Sequence, residues 1–257
     1  MGKVDGKVAV VTGGARGIGK AIVEKMCEEG ATGVVIADFN TETGKATEKE
    51  FKEKGWPVAY IQADVSSESD WQKVVEFTTA QFGKIDILVN DAAKIGDGHG
   101  ILELDAKAVR SAFEVDVMGT LLGTEYVSRQ MKSQGTGGSI VNMSSGHVGK
   151  YLPTGGVDYP LCKAAIREVT KIAARQLGQF NIRCNCVSPG LVATELHKET
   201  CKRLGVDENA FAGDKTALGR MTEPSEIASV IIWLCSNEAT QATGANFQVD
   251  GGYGIVS

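Results

Sequence analysis

Tyr159 and Lys163 stand four residues apart in Tyr-Pro-Leu-Cys-Lys, a spacing that puts a phenol and an ammonium on one helical face. An Asn-Met-Ser-Ser run ends at Ser145, fourteen residues before the tyrosine. Near the N-terminus, Thr12-Gly13-Gly14-Ala15-Arg16-Gly17-Ile18-Gly19 follows an apolar stretch. A phenol beside an ammonium can trade a proton, and a glycine turn leading into a helix can hold a pyrophosphate. Together they read as an acid/base pair for hydride chemistry on a bound dinucleotide.

The glycine run has a physical logic. Gly13 allows a tight turn after the first strand, while Gly17 and Gly19 let backbone approach the pyrophosphate and let the helix pack closely. Asp38 closes the second strand, nineteen residues beyond Gly19, where a carboxylate can accept from both ribose hydroxyls and repel a 2′-phosphate. Its bland alternative is a strand-end aspartate capping the next helix. Phe39 and Asn40 offer no cation for a 2′-phosphate, whereas Arg16 in the glycine loop does. The balance favours NAD over NADP.

These groups need a frame, and the alternation of apolar runs with helical patterns supplies one. Strand runs are expected at 7–12, 33–38, 57–62, 85–90, 139–143, 182–187 and 246–249. Helical patterns are expected at 17–29, 41–54, 68–82, 107–134, 158–179 and 224–235. Such alternation implies βαβ crossovers and a parallel sheet covered on both faces. The expectation is α/β, a single doubly wound Rossmann-type domain over 1–257 with a seven-stranded parallel sheet flanked by helices. The stretch at about 191–219 mixes charge with Leu196, Leu204 and Phe211 without a clean period, as a substrate lid would.

Composition narrows the partners. The 257-residue chain carries a formal net charge of -5 and shows no Lys/Arg cluster, which argues against nucleic acid. The six cysteines are scattered, with no Cys-x-x-Cys and few histidines to complete a metal set. No metal is expected, and the thiols suit a reduced, cytoplasmic protein. The first residues lack an apolar signal core. The densest apolar run, 227–235, is about half the length a bilayer span requires, so no membrane is expected.

With these motifs in order, the sequence resembles a short-chain dehydrogenase/reductase over nearly its whole length. The family's glycine motif is matched at Thr12 to Gly19, its adenine-side Asp-Val at Asp64-Val65, and its Asn-Asn-Ala-Gly run at Asn90-Asp91-Ala92-Ala93. Its Ser, Tyr and Lys fall on Ser145, Tyr159 and Lys163. Pro189-Gly190 with Val192 and Thr194 matches the segment that holds the nicotinamide carboxamide, and Asp250-Gly251-Gly252 matches the C-terminal signature. The resemblance thus implies cofactor contacts from Gly13, Arg16, Gly17, Ile18, Gly19, Asp38, Asp64, Val65, Asn90, Ala92, Tyr159, Lys163, Pro189, Gly190, Val192 and Thr194. Three departures stand out. The Asn-Asn-Ala-Gly run is altered at Asp91 and Ala93, and one extra residue lies between Ser145 and Tyr159. Asp116 replaces the asparagine that in the family holds a relay water behind the lysine. An ionised aspartate accepts hydrogen bonds and cannot donate.

The implied chemistry makes Tyr159 the base in oxidation and the acid in reduction. Bringing a free phenol from about 10 to about 7 takes near 4 kcal/mol. An ammonium about 4 Å away supplies on the order of 4 kcal/mol at an effective dielectric of 20, before desolvation subtracts. Lys163 would also hold the nicotinamide ribose, and Ser145 would hydrogen-bond the substrate oxygen, with Ser144 the alternative donor. His147 and His197 are expected to be surface or pocket-lining residues. Ile95, Ile101, Val148, Tyr151, Leu152, Leu191, Leu196 and Phe211 would make an apolar pocket. That suits a bulky secondary alcohol or ketone such as a hydroxysteroid or bile acid. The alternatives are a small diol or sugar alcohol, a 3-oxoacyl thioester, or a non-catalytic NAD-binding sensor or scaffold suggested by Asp116 and Ala93. In the family the two long helices build a four-helix interface, so a homotetramer is expected.

Overall fold

The computed structural model describes residues 2–94, 100–150, 156–195, 197–198, 202, 207 and 212–255. Ile95, Tyr151, Leu152, Leu196, Leu204 and Phe211, expected in the substrate pocket or lid, lie outside the described residues.

Seven strands are present: β1 (Val8–Thr12), β2 (Gly33–Asp38), β3 (Val58–Gln62), β4 (Ile87–Asn90), β5 (Gly138–Met143), β6 (Ile182–Pro189) and β7 (Asn246–Val249). Every pairing is parallel, in the order β3-β2-β1-β4-β5-β6-β7. All residues of β1 and β4 are buried, which explains why these segments read as unbroken apolar runs rather than alternating ones. Val11, Ile36 and Val89 point into one core with Ile22, Met26, Phe51 and Ile231. Val10, Val35 and Leu88 point into the opposite core with Trp71, Met131, Ile140 and Ile182. Helices α1 (Gly17–Glu28), α2 (Thr41–Glu53) and α7 (Pro224–Cys235) supply the first layer; α3 (Glu68–Phe82), α5 (Gly119–Gln134) and α6 (Asp158–Leu177) supply the second. Among the described residues no helix is long and apolar enough to cross a membrane.

The chain order reverses at the β1–β4 neighbours, and there the loops after the strands diverge to leave a crevice. The register sets Thr12 beside both Ala37 and Asn90. Thr12 Oγ1 then accepts from the Asp91 and Ala92 N–H groups at 3.0 Å each, tying the loop after β4 to the glycine turn.

Local chemistry sets the helix limits. Asn40 caps α2 by accepting from Glu42 and Thr43 N–H, and α3 closes on Gly83 in the left-handed region (φ 81°). The single helix expected over 107–134 is instead α4 (Ala106–Phe113), a five-residue π-helical turn (Glu114–Met118) and α5. The wider turn accommodates one extra residue without ending the helix, and it carries Asp116 into the interior at 1% exposure. The last turn of the 158–179 pattern tightens to a 3-10 turn at Gly178–Phe180. β4 starts two residues later than expected because Ile85 N–H donates to Gln134 Oε1 instead of to a strand. β6 runs on to Pro189 and so delivers that residue to the crevice.

α5 lies close over the end of β4 at Gly123. A Cβ there would come within 2.5 Å of the Trp71 ring and 2.6 Å of Asn90 Oδ1. Gly123→Ala should therefore cost about 1–3 kcal/mol by overpacking, despite the better helix propensity of alanine. Urea denaturation checks this, and an equal or raised midpoint would contradict the packing described.

Candidate active site

A cleft of about 920 Å³ opens at the strand reversal. It is lined by Gly13, Arg16, Gly17, Ile18, Asp38, Asp64, Val65, Ala92, Tyr159, Lys163, Pro189, Val192 and Thr194 among the residues expected to bind cofactor. Gly19, Asn90 and Gly190 do not line it and instead shape its walls. A Cβ on Gly19 would lie 2.3 Å from Gly13 O, and one on Gly190 would meet Asp250 backbone and side chain at 2.8–2.9 Å. Asn90 Nδ2 donates to Asn142 Oδ1 at 2.9 Å across the strands. Ala93, Lys94, Ser111, Val115, Met143, Glu195 and His197 also line the cleft.

The glycine turn leaves its helix end open. Gly13 has φ 65° and Gly17 φ 56°, and the N-cap Arg16 makes no side-chain cap. A Cβ on Gly17 would meet only Thr194 Cγ2, at 3.7 Å. At one flank Asp38 Oδ2 accepts from Ala15 N–H at 3.2 Å and Oδ1 from Asn40 N–H at 2.9 Å. Two backbone donors thus fix the carboxylate facing the cleft. The helix cap after β2 is Asn40, not Asp38.

At the other end stand the phenol and ammonium. Lys163 Nζ lies 5.5 Å from the Tyr159 ring centroid, on the same face of α6. The lysine is 3% exposed, donates to Met143 O at 3.2 Å, and pairs with Asp116 Oδ2 at 3.1 Å. Burial weighs most heavily on the ammonium and pulls it down, but the charges of Asp116, Tyr159 and Asp91 together hold it above the usual lysine value. Asp116 does not reach the cleft surface. Its Oδ1 accepts from Lys94 N–H at 2.7 Å, so it links the loop after β4 to the lysine. Oδ2 faces the ammonium as an ion pair without a hydrogen bond among the described residues, and neither contact calls for the amide donor of an asparagine.

The two serines after β5 are both 3% exposed. Ser144 Oγ donates to Lys163 O at 2.8 Å and accepts from Arg167 Nε at 3.1 Å, so its hydroxyl is committed to α6. Ser145 Oγ accepts from His147 N–H at 3.1 Å and keeps its own proton to donate. Ser145 does not itself line the cleft among the described residues, where Met143 and Ser144 form that wall. Arg167 also donates to Ser145 O at 2.7 Å and Ser188 Oγ at 3.2 Å, pinning the serine loop from below. Its signal was its place, four residues beyond Lys163 on the same helical face. His197 lines the cleft as expected of a pocket residue; His147 does not.

Asp91 is the unusual group of the turn. Its carboxyl sits beneath Gly19, whose N–H donates to it. Burial pushes the Asp91 carboxyl up to about 7; Lys163 and the Gly19 hydrogen bond pull the other way, and Asp38 adds to the rise. The folded value lies above the free value of 3.8. The folded protein therefore holds the proton more tightly, and stability falls as pH rises from about 4 to about 7. Asp91→Asn keeps an acceptor for Gly19 and removes the titration. Its stability relative to the unmodified protein should grow between pH 4 and 8, by at most on the order of 4 kcal/mol. Parallel denaturation profiles for the two proteins across that range would contradict the burial described.

Comparisons with known proteins agree with this geometry. Residues 13–254 match a family model described as enoyl-(acyl carrier protein) reductase. A diacetyl reductase [(S)-acetoin forming] of Staphylococcus epidermidis is 33% identical, covering 96% of this chain and 98% of the relative. An NADP-dependent (R)-specific alcohol dehydrogenase of Lentilactobacillus kefiri is 38% identical, covering 98% of each. A 3-alpha-(or 20-beta)-hydroxysteroid dehydrogenase of Mycobacterium bovis is 37% identical, covering 98% of this chain and 90% of the relative. The crystal structure of L-sorbose reductase from Gluconobacter frateurii, complexed with NADPH and L-sorbose, superposes with a TM-score of 0.92 at 31% identity over the whole of both chains. With an open glycine turn and a Tyr-Lys pair on the walls of one cleft, and with relatives of this similarity along its full length, the chain belongs to the short-chain dehydrogenase/reductase family.

Proposed function

We propose that the protein interconverts a secondary alcohol and a ketone, with NAD(H) as the preferred cofactor. The observation that carries this is the shared cleft, with the uncapped glycine turn and Asp38 at one end and Tyr159 with Lys163 at the other. The residues present fit a dinucleotide: the helix N-terminus at Gly17 and Ile18, both lining the cleft, for the pyrophosphate, Asp38 for the ribose, and Lys163 beside the reacting phenol. When bound, the nicotinamide supplies or accepts the hydride. Tyr159 gives its hydroxyl proton to the substrate oxygen in reduction and takes it back in oxidation. Ser145 donates to the same oxygen as charge develops on it. Lys163, held charged by Asp116, stabilises the phenolate and binds the nicotinamide ribose.

NAD is preferred because the Asp38 carboxylate, fixed by two N–H donors, would face a 2′-phosphate. Two relatives are named with NADP or NADPH, and Arg16, next to the Ala15 whose N–H binds Asp38, also lines the cleft, which makes NADP the competing choice. For the substrate we favour a bulky apolar alcohol of the hydroxysteroid class, in line with the mycobacterial relative. A small diketone or sugar ketone is the second reading, favoured by the diacetyl and L-sorbose reductases. The 3-oxoacyl thioester remains an arm of the test.

The whole chain is read as one catalytic domain of a cytoplasmic homotetramer. The segment 191–219 is read as a lid whose two ends are stitched together by the Val192–Thr222 bridge, with Ala193 N–H to Thr222 O at 2.9 Å and Thr222 N–H to Leu191 O at 2.8 Å. Phe113, Met118, Leu121, Leu161 and Ile172 are exposed on α4, the π turn, α5 and α6, and they supply the apolar face that copies would share.

Four outcomes test these points. Reduction of a steroid ketone, diacetyl, L-sorbose and a 3-oxoacyl thioester should proceed with NADH, fastest on the steroid; no turnover with any of them would remove the activity proposed. Asp38→Ala should raise kcat/KM with NADPH relative to NADH, and equal values for the two cofactors in the unmodified protein would end the NAD assignment. Tyr159→Phe should lower kcat about 10²–10⁴-fold with cofactor affinity nearly unchanged. Light scattering at micromolar concentration should give four times the chain mass; a monomer would refute the assembly.

A further inference from the structure

The serine loop is also held from the side away from Arg167. The C-terminal turn is built on Asp250, whose Oδ1 accepts from Gly252 N–H and Oδ2 from Gly254 N–H, each at 2.9 Å. That turn presents Tyr253, which is 6% exposed, to the loop after β5. The Tyr253 hydroxyl lies 3.2 Å from His147 Nε2, with the rings 5.3 Å apart and tilted by 47°. At Gly146 a Cβ would make ordinary contact with the Tyr253 ring at 3.5 Å and press on Pro189 O at 3.2 Å. Lys150 Nζ sits 4.0 Å from the Tyr253 ring centroid.

His147 is in contact with both hydroxyl-bearing residues of the proposed chemistry. Its imidazole stands edge-on to Tyr159, at 6.2 Å between centroids and 81° between planes. Its backbone N–H donates to Ser145 Oγ at 3.1 Å. Burial, and then the Lys150 charge, hold the imidazole below the usual histidine value, so it is neutral at neutral pH. A neutral ring has one N–H and one lone pair, and can pair with the Tyr253 hydroxyl in either sense. Neither His147 nor Tyr253 lines the cleft among the described residues.

The geometry points to His147 and Tyr253 as positioning residues: the C-terminal turn, through the Tyr253–His147 hydrogen bond, fixes the plane of the Tyr159 ring and the backbone of residue 147, whose N–H holds Ser145 Oγ in place. The fixing of the loop stands on structure alone, and its catalytic consequence rests on the alcohol–ketone activity proposed above. Proton transfer and oxyanion contact both depend on sub-ångström placement. Because neither side chain reaches the cleft wall, loosening them should act on turnover and spare binding.

The test uses full-length Tyr253→Phe, His147→Ala and His147→Gln, each required to melt within a few degrees of the unmodified protein. The first readout needs no substrate. Backbone hydrogen exchange of the 144–150 segment should quicken about tenfold in Tyr253→Phe and His147→Ala, and His147→Gln, which keeps a polar group toward Tyr253, should restore part of the protection. Unchanged exchange in Tyr253→Phe would overturn the coupling, whatever the protein catalyses. The second readout takes the ketone that the unmodified protein reduces fastest. kcat should fall about five- to fiftyfold in Tyr253→Phe and His147→Ala, with KM and NADH affinity unchanged and His147→Gln intermediate. Quickened exchange with an unaltered kcat would overturn the catalytic half, as would a loss confined to KM. Absence of turnover in the unmodified protein would count against the proposed activity and leave the exchange result to decide the coupling.

Discussion

The structure around the cleft depends on one buried ion pair, Lys163 with Asp116, at 3% exposure or less for both side chains and 3.1 Å apart. Withdrawing two charges from water is unfavourable, and their attraction compensates only when geometry and further hydrogen bonds are right. Each partner has one such bond, while Asp116 Oδ2 has only the lysine charge beside it among the described residues. Lys163 also donates to Met143 O, while Asp116 also accepts from Lys94 N–H. The pair therefore joins the end of β5, the loop after β4, the π turn and α6 at a single point. Removing one partner of such a pair typically costs roughly 3–5 kcal/mol, because the other charge is stranded. The π turn is the backbone consequence: it is what brings residue 116 inward while the helix continues.

The rest of the cleft follows from charge and close packing around that point. Asp38, Asp91 and Lys163 all line the cleft, with Asp38 held by Ala15 and Asn40 N–H groups beside the glycine turn and Lys163 paired with Asp116 beside the phenol. Thr12 Oγ1, bonded to two N–H groups of the loop after β4, keeps these carboxyls in register with the sheet. The serine loop is clamped twice, by Arg167 from α6 and by His147 with Tyr253 from the C-terminal turn. A rigid frame of this kind is what a proton transfer requires when the reacting groups are few.

Much of this was legible in the residues. The parallel sheet showed in apolar runs that do not alternate, and the glycine turn and Asp38 showed in their spacing. Tyr159 and Lys163 showed as one helical face. What was hidden has physical reasons. The π turn was invisible because Val115 and Val117 carry the apolar pattern of 107–134 across it without a break. Ser144 and Ser145 are chemically alike, and only the bond from Ser144 Oγ to Lys163 O separates them. The sequence marks Asp91 and Asp116 as departures from a familiar pattern, but their consequences come from what the fold places around them, Gly19 and Lys163 for Asp91 and Lys163 and Lys94 for Asp116. The Tyr253–His147 contact joins residues 106 apart, and no local period can announce it.

The most direct measurement is the pH–rate profile of Asp116→Asn beside that of the unmodified enzyme, in the direction of alcohol oxidation. The substitution keeps size and shape while removing the anion behind Lys163. If Asp116 is what holds Lys163 charged against burial, its loss should weaken the ammonium and with it the phenolate. The rising limb would then move to higher pH, with the plateau rate changed less than about tenfold. Superimposable profiles for the two proteins would mean that the Asp116 charge does not reach Tyr159 through Lys163, and would contradict the central role given to the pair.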